Sequence, residues 1–198
     1  MKSQATPKHL STNQIHLLLH HLAEQPATRP QSHRNYCIAV LFLDAGLRLN
    51  ELRRLICSDI MFFDVPVCQL QVRAEIAKRG YARTVPLTDR ARNAIRDYAA
   101  SQPLLFEHAD QYAFCSPSSY IRPLSARAVQ QIIHKAAKRS IGIDIHPHVL
   151  RHTYATRLMR VTDLRTVQEL LGHRNVASTQ IYTHPSIEDK IGAVDKLT

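Results

Sequence analysis

Pro147-His148-Val149-Leu150-Arg151-His152 is the stretch of sequence that decides the fold of this chain. Proline is favoured in the first turn of a helix, because the N–H group that it lacks would have no intrahelical partner there. His148 and Arg151 are three residues apart, so a helix places both on one face. The segment therefore predicts a helix over about 148–160 that presents an imidazole and a guanidinium side by side.

Two motifs downstream add a histidine and a tyrosine. Leu171-Gly172-His173 follows a helical pattern over 163–171, and glycine is a typical helix stop. A tight turn at this point can aim His173 into a cleft. Ile181-Tyr182-Thr183-His184 ends a further predicted helix over 175–182. Movement of that segment would let Tyr182 swing towards and away from a bound group.

Two motifs upstream add an arginine and a lysine. One predicted helix stops at Gly46 and another begins at Arg48, and the first backbone N–H groups of a helix face anions. Glu51 follows Arg48 at i+3, where it either orients the guanidinium or forms a plain surface ion pair; the sequence leaves both open. Lys78 lies in the basic turn of a predicted hairpin, a reachable position for a general acid.

These motifs contain the groups needed to cut and rejoin a phosphodiester without a metal. Such a reaction needs a nucleophile, a base for its proton, cations for the charged oxygens and an acid for the leaving oxygen. A tyrosine nucleophile has a free pKa of about 10 and needs a base or cationic surroundings to ionise. The candidate catalytic residues are Arg48, Lys78, His148, Arg151, His173 and Tyr182.

Each of these residue types also has an ordinary structural interpretation. A single arginine usually lies on a solvated helix face, and a tyrosine usually packs in the core, as we expect for Tyr98 and Tyr154. His146, His148 and His152 invite a zinc site, since histidines at i and i+4 can share a metal. No glutamate stands between them in the sequence and no Cys or Asp cluster completes a ligand set. We therefore expect neither a metal nor another cofactor.

The composition favours a polyanionic partner. The formal net charge is +10, the pI is about 9.8, and arginine supplies 19 of the 26 basic residues. Arginine forks match phosphate oxygens better than ammonium groups do, which indicates nucleic acid. A merely soluble basic surface is the alternative.

The sequence also bears on location and redox state. No stretch approaches the roughly 20 apolar residues of a membrane span, and residues 1–8 lack an apolar signal segment. We therefore expect a cytoplasmic protein. The four cysteines share no CxxC spacing and are expected to be free thiols, mostly in apolar surroundings. They are Cys37, Cys57, Cys68 and Cys115.

The patterning predicts an α+β fold, mainly α-helical with a small antiparallel β-sheet. Glycine is scarce, with 5 residues, and aromatic residues make up 6%. Besides the helices already named, helical patterns cover about 11–22, 32–45, 48–55, 88–100 and 125–139. Alternating patterns over 67–72 and 81–85 predict a sheet of two or three strands within residues 59–86.

One large domain accounts for most of the length. We expect residues 1–10 to be a disordered lead-in and residues 11–185 to form the catalytic domain. Residues 186–198 carry an apolar stripe at helical spacing, Ile187, Ile191 and Val194. That helix either packs on its own domain or docks on a neighbouring protomer, and the sequence leaves the two open.

Taken jointly, the motifs resemble those of the tyrosine recombinase (phage integrase) family over about residues 10–185. Gly46-Leu47-Arg48 with Glu51-Leu52 looks like the family's first arginine box. His148-Val149-Leu150-Arg151-His152, Leu171-Gly172-His173 and Ile181-Tyr182 look like its second box and nucleophile. Arg34-Asn35-Tyr36-Cys37 and His146-Pro147-His148 are similar to the short fimbrial-switch DNA invertases. We accordingly expect no N-terminal DNA-clamping domain ahead of Ser11.

The resemblance implies the fold of a tyrosine recombinase catalytic domain and a role for each matching residue. Tyr182 would attack the scissile phosphate, leaving a 3′-phosphotyrosine and a free 5′-hydroxyl. Arg48 and Arg151 would hold the non-bridging oxygens. His148 would accept the tyrosine proton.

The remaining roles fall to His173, which would hydrogen-bond the phosphate, and to Lys78, which would protonate the leaving oxygen. The family's Gly-Lys-Gly turn is here Ala77-Lys78-Arg79-Gly80. Because the bond energy is kept in the phosphotyrosine, the resemblance implies neither ATP nor a metal.

The resemblance further implies site-specific recombination by inversion, integration, excision or resolution. The expected partner is double-stranded DNA with specific recombination sites, bound by four protomers with accessory DNA-bending proteins, at the bacterial nucleoid and away from membranes. Two alternatives remain. One is a type IB-like topoisomerase of the same chemistry, and the other is a non-catalytic DNA-binding regulator derived from a recombinase.

Overall fold

Helices make up most of the chain that the structure describes. The computed structural model describes residues 7–25, 30–116 and 119–172. Within these residues the helices are α1 (Thr12–Ala23), α2 (Pro30–Asp44), α3 (Leu49–Arg53), α4 (Cys57–Ile60), α5 (Asp89–Ser101), α6 (Pro103–Phe106), α7 (Ala126–Ile141), α8 (Pro147–Met159) and α9 (Leu164–Leu171). The strands are β1 (Met61–Phe62), β2 (Val65–Pro66), β3 (Gln69–Val72), β4 (Arg83–Pro86), β5 (Cys115–Ser116) and β6 (Ser119–Pro123). The predicted fold class is confirmed.

Capping side chains set the beginnings of several helices. Ser11 Oγ accepts the N–H of Gln14 at 3.2 Å, and Gln14 Oε1 accepts the N–H of Ser11 at 2.9 Å, which completes a capping box at the start of α1. Thr88, Ser125 and Asp163 cap α5, α7 and α9 through their side-chain oxygens. Each cap satisfies a backbone N–H that the helix itself leaves without a partner.

Helix α2 lies at the centre of the core. Its residues 37–43 are each 0% exposed, and it packs against α1, α5 and α8. A helix covered on all sides has no polar face, which explains the unbroken apolar run in this part of the sequence. Because α2 ends at Asp44, its burial fixes the chain just before Arg48.

The strands form three separate two-stranded antiparallel sheets within the described residues, where the sequence predicted one sheet of two or three strands. β3 and β4 pair in the register Leu70 with Val85 and Val72 with Arg83, and both partners of the first pair are buried. The β5–β6 pair was not predicted, because a strand as short as β5 gives no alternating pattern. The β3–β4 hairpin carries Lys78 in its connection and Arg83 at the start of its second strand.

The segment before α1 is anchored to α8. Leu10, which the sequence placed in the lead-in, is 3% exposed, and its N–H donates to Thr153 Oγ1 at 2.9 Å. The hydroxyl of Thr153 in turn donates to the carbonyl of Val149. Leu10 therefore belongs to the core.

Three of the four cysteines are buried free thiols, while Cys68 is a free thiol on the surface. No helix in the part of the chain that the structure describes is long and apolar enough to cross a membrane. The helices predicted over 175–182 and 186–198 lie outside the described residues.

Candidate active site

The turn that joins α2 to α3 is built around Gly46. Its φ of +57° is left-handed, a conformation that glycine adopts without a steric penalty. A Cβ at this position would lie 2.2 Å from Cδ1 of Tyr154, so the tyrosine ring packs directly on the glycine. The carbonyl of Gly46 accepts a hydrogen bond from Nη1 of Arg151. The turn before Arg48 is thereby held against α8.

Arg48 is the N-cap residue of α3, and Glu51 fixes its side chain. Glu51 Oε2 accepts the backbone N–H of Arg48 at 2.8 Å, and Glu51 Oε1 accepts its Nη1 at 2.8 Å. The side chain of Glu51 is 1% exposed, so the pair is a buried orienting contact and not a surface ion pair. Arg48 Nη2 donates to the carbonyl of Gly172 at 3.2 Å, and the Arg48 side chain stays 19% exposed.

Arg151 comes to the same carboxylate from α8. Its Nη1 lies 4.0 Å from Glu51 Oε2, and its Nη2 donates to the carbonyl of Leu171 at 2.7 Å. The side chain is 6% exposed. Two residues about a hundred positions apart in the sequence, Arg48 and Arg151, thus meet at Glu51 and at the end of α9.

A third guanidinium at this point belongs to Arg83, which was not among the candidate residues predicted from the sequence. Arg83 Nη1 and Nη2 donate to the two oxygens of Glu51 at 2.9 and 2.7 Å, and its Nε donates to the carbonyl of Leu170 at 2.9 Å. A signal was present in the alternation of β4, which puts Arg83 on the same face as the buried Val85. An arginine on an inward face requires a buried acceptor.

The charges at this cluster do not balance. Burial raises the pKa of Glu51, but the hydrogen bonds and charge of Arg83, followed by the contacts of Arg48, outweigh it and lower the pKa to about 2. Glu51 is therefore ionised at neutral pH. Three positive charges around one negative charge leave a local excess of two positive charges, which favours binding of an anion.

His148 lies beside these cations, in the first turn of α8 after Pro147. Partial burial lowers its pKa, and the charges of His146, Arg151, Arg48 and Lys78 lower it further. The ring of His146 stands edge-on to that of His148, with 5.9 Å between the centroids. A histidine with a lowered pKa is neutral at neutral pH and able to accept a proton.

Lys78 begins a 3₁₀ turn, Lys78–Gly80, between β3 and β4. Its side chain is exposed, and its charge is one of those that lower the pKa of His148. The hairpin that buries Arg83 against Glu51 therefore also brings an ammonium group to the side of the domain where α8 begins.

A second buried carboxylate holds the far half of α8. Asp44 is 4% exposed and accepts hydrogen bonds from Arg90 Nε at 2.7 Å, Thr88 Oγ1 at 2.9 Å and Arg157 Nη1 at 3.2 Å. Burial raises the pKa of Asp44, but the contacts with Arg90 above all bring it below its ordinary value. Arg157 Nη1 also donates to the carbonyl of Leu43 at 3.1 Å. The connection from α2 to α3 is thus held by α8 at two points.

The sequence model of the phage integrase family matches residues 8–188 of the chain. The chain belongs to the phage integrase family.

Curated tyrosine recombinases are similar to this chain over part of their length. Tyrosine recombinase XerC of Pseudomonas fluorescens is 36% identical over 179 residues, and that of Alcanivorax borkumensis is 38% identical over 181 residues. Each alignment covers 90% of this chain and 56% of the relative. The chain therefore spans about half the length of the curated relatives that it matches.

Solved structures of recombinases share the fold. A crystal structure of XerA recombinase superposes with a TM-score of 0.77 at 26% identity, over 99% of this chain and 65% of that one. XerH site-specific recombinase bound to its difH substrate superposes with a TM-score of 0.74 at 21% identity, over 96% of this chain and 55% of that one. The second likeness, at its lower identity, concerns the fold alone.

The structure assembles four of the residues expected from the resemblance to the phage integrase family. Arg48 and Arg151 meet at Glu51, and His148 and Lys78 lie within electrostatic reach of them. His173 and Tyr182 lie outside the described residues. Within the ranges that the structure describes, no three His, Cys, Asp or Glu side chains are arranged to hold a metal ion.

Proposed function

We propose that this chain is the catalytic part of a site-specific DNA recombinase, which cuts and rejoins double-stranded DNA through a 3′-phosphotyrosine without a metal or nucleotide. The observation that carries the proposal is the arginine cluster around Glu51 in a member of the phage integrase family. A phosphodiester has one negative charge, and attack by a tyrosinate adds a second in the transition state. The local excess of two positive charges matches that transition state.

The strand-cutting step conserves atoms and charge. The hydroxyl oxygen of Tyr182 attacks the phosphorus while its proton passes to His148. The bond between phosphorus and the 5′ oxygen breaks, and Lys78 delivers a proton to that oxygen. The products are a 3′-phosphotyrosine and a free 5′-hydroxyl, and attack by the 5′-hydroxyl of another strand reverses the step.

The two predicted arginines serve the phosphate in different ways. Arg151, at 6% exposure and bonded to Gly46 and Leu171, has a fixed guanidinium that forms the floor of the site. Arg48 is more exposed and lies at the opening, so it meets the non-bridging oxygens first. We assign to His173 a hydrogen bond to the same phosphate, by its position directly after Gly172.

The lowered pKa of His148 supports its role as the base. A protonated imidazole could not accept the tyrosine proton, and partial burial, followed by the surrounding cations, lowers the pKa of His148 and keeps the ring neutral at neutral pH. The same cations favour ionisation of a phenol brought among them.

Double-stranded DNA carrying a specific recombination site is the partner that we propose. The net charge of +10 supports a polyanion, and similar proteins of known structure were solved with DNA. These include XerH with difH and the Tn1549 transposon integrase with circular intermediate DNA, which superposes with a TM-score of 0.68 at 19% identity. We further propose that the protein acts as four protomers on two duplexes in the bacterial cytoplasm, with accessory DNA-bending proteins.

The test begins with a randomised pool of nicked duplexes, because the target sequence is unknown. A nick next to the cleaved bond lets the short leaving strand diffuse away, which traps the protein on its DNA. Adducts that survive denaturing electrophoresis are recovered and sequenced, and the selected duplex is used in all later experiments. We expect wild-type protein to select one sequence and Tyr182→Phe to form no adduct.

Tyr98→Phe is the matched control. The buried Tyr98 hydroxyl donates to the carbonyl of Ala113 at 2.7 Å, away from the cluster, so this variant should still form the adduct. An adduct that persists in Tyr182→Phe would exclude Tyr182 as the nucleophile. Wild-type protein that occupies DNA without forming an adduct would indicate a non-catalytic regulator. Relaxation of plasmids without sequence preference would indicate a topoisomerase.

A further inference from the structure

Arg83 is the arginine of the cluster that donates a two-pronged contact to Glu51. Its side chain is 6% exposed, as is that of Arg151, whereas that of Arg48 is 19% exposed, and its three hydrogen bonds all go to protein acceptors. Two of them form a fork on Glu51 and the third reaches Leu170. Burial removes the water around a guanidinium, which costs free energy unless hydrogen bonds to the protein replace those to water.

The second partner of Arg83 ties the carboxylate to the end of α9. The carbonyls of Leu170, Leu171 and Gly172 accept hydrogen bonds from Arg83, Arg151 and Arg48, in that order. A Cβ on Gly172 would lie 3.1 Å from Cδ of Arg83, so the backbone packs closely on the arginine stem. Movement of Arg83 would therefore be felt both at Glu51 and at the last turn of α9.

We propose that Arg83 is a positioning residue of the strand-cutting reaction, holding Glu51 in the orientation that fixes Arg48 and Arg151 and holding the end of α9 from which the chain continues to His173. The inference rests on the proposed function for the identity of the reaction. The contacts through which Arg83 acts do not depend on it.

The electrostatics give this role a measurable consequence. Arg83 is the strongest of the contacts that lower the pKa of Glu51 against the effect of burial. Without Arg83 the buried carboxyl takes up a proton at a higher pH. A neutral Glu51 no longer orients two guanidinium groups by its charge. The rate of adduct formation in the variant should therefore begin to fall at a higher pH on the acid side of its pH profile.

Arg73 provides a matched control on the same hairpin. Its Nε and Nη2 donate to Oδ1 and Oδ2 of Asp59 at 2.8 and 3.0 Å, and the Asp59 side chain is 7% exposed. Arg73→Met thus removes an arginine fork from a buried carboxylate near the same sheet without touching the cluster. Arg83→Met removes the corresponding fork inside the cluster, and Arg83→Lys keeps the charge without the fork.

The first measurement is the rate of covalent adduct formation at saturating selected duplex, together with the dissociation constant for that duplex. We expect Arg83→Met to lower the rate about 100-fold, the scale of a misplaced catalytic group, with little change in DNA affinity and an acid limb at higher pH. Arg83→Lys should lose about tenfold, since one ammonium cannot replace a two-pronged contact. Arg73→Met should leave both the rate and the pH profile unchanged.

Thermal unfolding of all the variants separates positioning from stability. If the rates of adduct formation in Arg83→Met and Arg73→Met fall only in proportion to their losses of stability, the proposal is overturned. If Arg83→Met does not fold, Arg83→Lys decides the question, and a wild-type rate and pH profile in that variant would overturn it.

A second measurement is independent of activity. Amide hydrogen exchange of residues 167–171 and the carboxyl titration of Glu51 followed by NMR report on the two contacts directly. Faster exchange and a raised pKa of Glu51 in Arg83→Lys, with neither change in Arg73→Met, support the coupling. Unchanged exchange and titration overturn it. Absence of any adduct with the wild-type protein would instead refute the proposed function, and the coupling would still be decided by this second measurement.

Discussion

Replacing Gly46 with alanine tests how the turn before Arg48 is built. The new Cβ would lie 2.2 and 2.5 Å from Cδ1 and Cε1 of Tyr154, distances at which one group must move. The tyrosine is buried, so its ring cannot swing into solvent. The turn and α8 must therefore separate, and the hydrogen bond from Arg151 to the Gly46 carbonyl stretches with them.

The expected loss in the free energy of unfolding of Gly46→Ala has two contributions. An alanine in the left-handed region costs about 1–2 kcal/mol, and forcing an extra carbon into a packed core costs about 1–3 kcal/mol. Gly46→Ala should therefore lower the free energy of unfolding by about 2–5 kcal/mol. Gly142→Ala is the control, because its φ of +70° is similar and nothing lies within 4 Å of the new Cβ. Its free energy of unfolding should fall only by the conformational cost of about 1–2 kcal/mol.

Urea denaturation followed by circular dichroism measures both variants, and adduct formation shows whether the site is disturbed. Gly46→Ala should be the less stable of the two and should also cut DNA more slowly. A double variant with Tyr154→Ala removes the obstruction, so adding Gly46→Ala to Tyr154→Ala should cost no more than Gly142→Ala does. Equal stabilities of Gly46→Ala and Gly142→Ala would refute the packing argument.

Two further predictions concern pH and salt. The pKa of Glu51 is lowered from 4.5 to about 2, so its contribution to stability is complete above pH 4.5 and is lost as the pH falls through about 2. That contribution amounts to about 3 kcal/mol. Glu51→Gln should therefore reduce the fall of the unfolding free energy between about pH 5 and pH 2. If urea denaturation gives the same fall for the variant and the wild-type protein, the prediction is contradicted. DNA binding should weaken steeply with salt, with a log–log slope steeper than about −3, since four phosphate contacts give about −3.6. Fluorescence anisotropy with the selected duplex measures that slope, and a flat response would exclude a phosphate clamp.

Much of the local structure could be predicted because its causes are local. The proline that opens α8 and the glycine that ends α9 each act within one turn of chain. The spacing of His148 and Arg151 predicts their shared face for the same reason. These are statements about neighbours in sequence, and the structure confirms them.

What the sequence could not decide depends on contacts between distant segments. A glutamate at i+3 from an arginine is equally compatible with a surface pair and with a buried one, and the choice is made by Arg83, which arrives from another element. The inward direction of Arg83 follows from pairing with β3, where it lies opposite Val72. The sequence likewise predicts Leu10 to be part of a disordered lead-in, whereas its N–H donates to Thr153 on α8.

Several hydrogen bonds in and near the arginine cluster join residues far apart in the sequence, which has a consequence for the order in which the protein folds. The bonds that join Arg151 to Gly46 and Arg48 to Gly172 span 105 and 124 residues of sequence, and the bond from Leu10 to Thr153 spans 143. Contacts that close such long loops form late, because the chain loses much entropy before they are made. During synthesis, α9 leaves the ribosome long after Arg48 has done so. A growing chain therefore carries no assembled cluster, and the proposed attack on a phosphodiester becomes possible only after α9 has been made and packed.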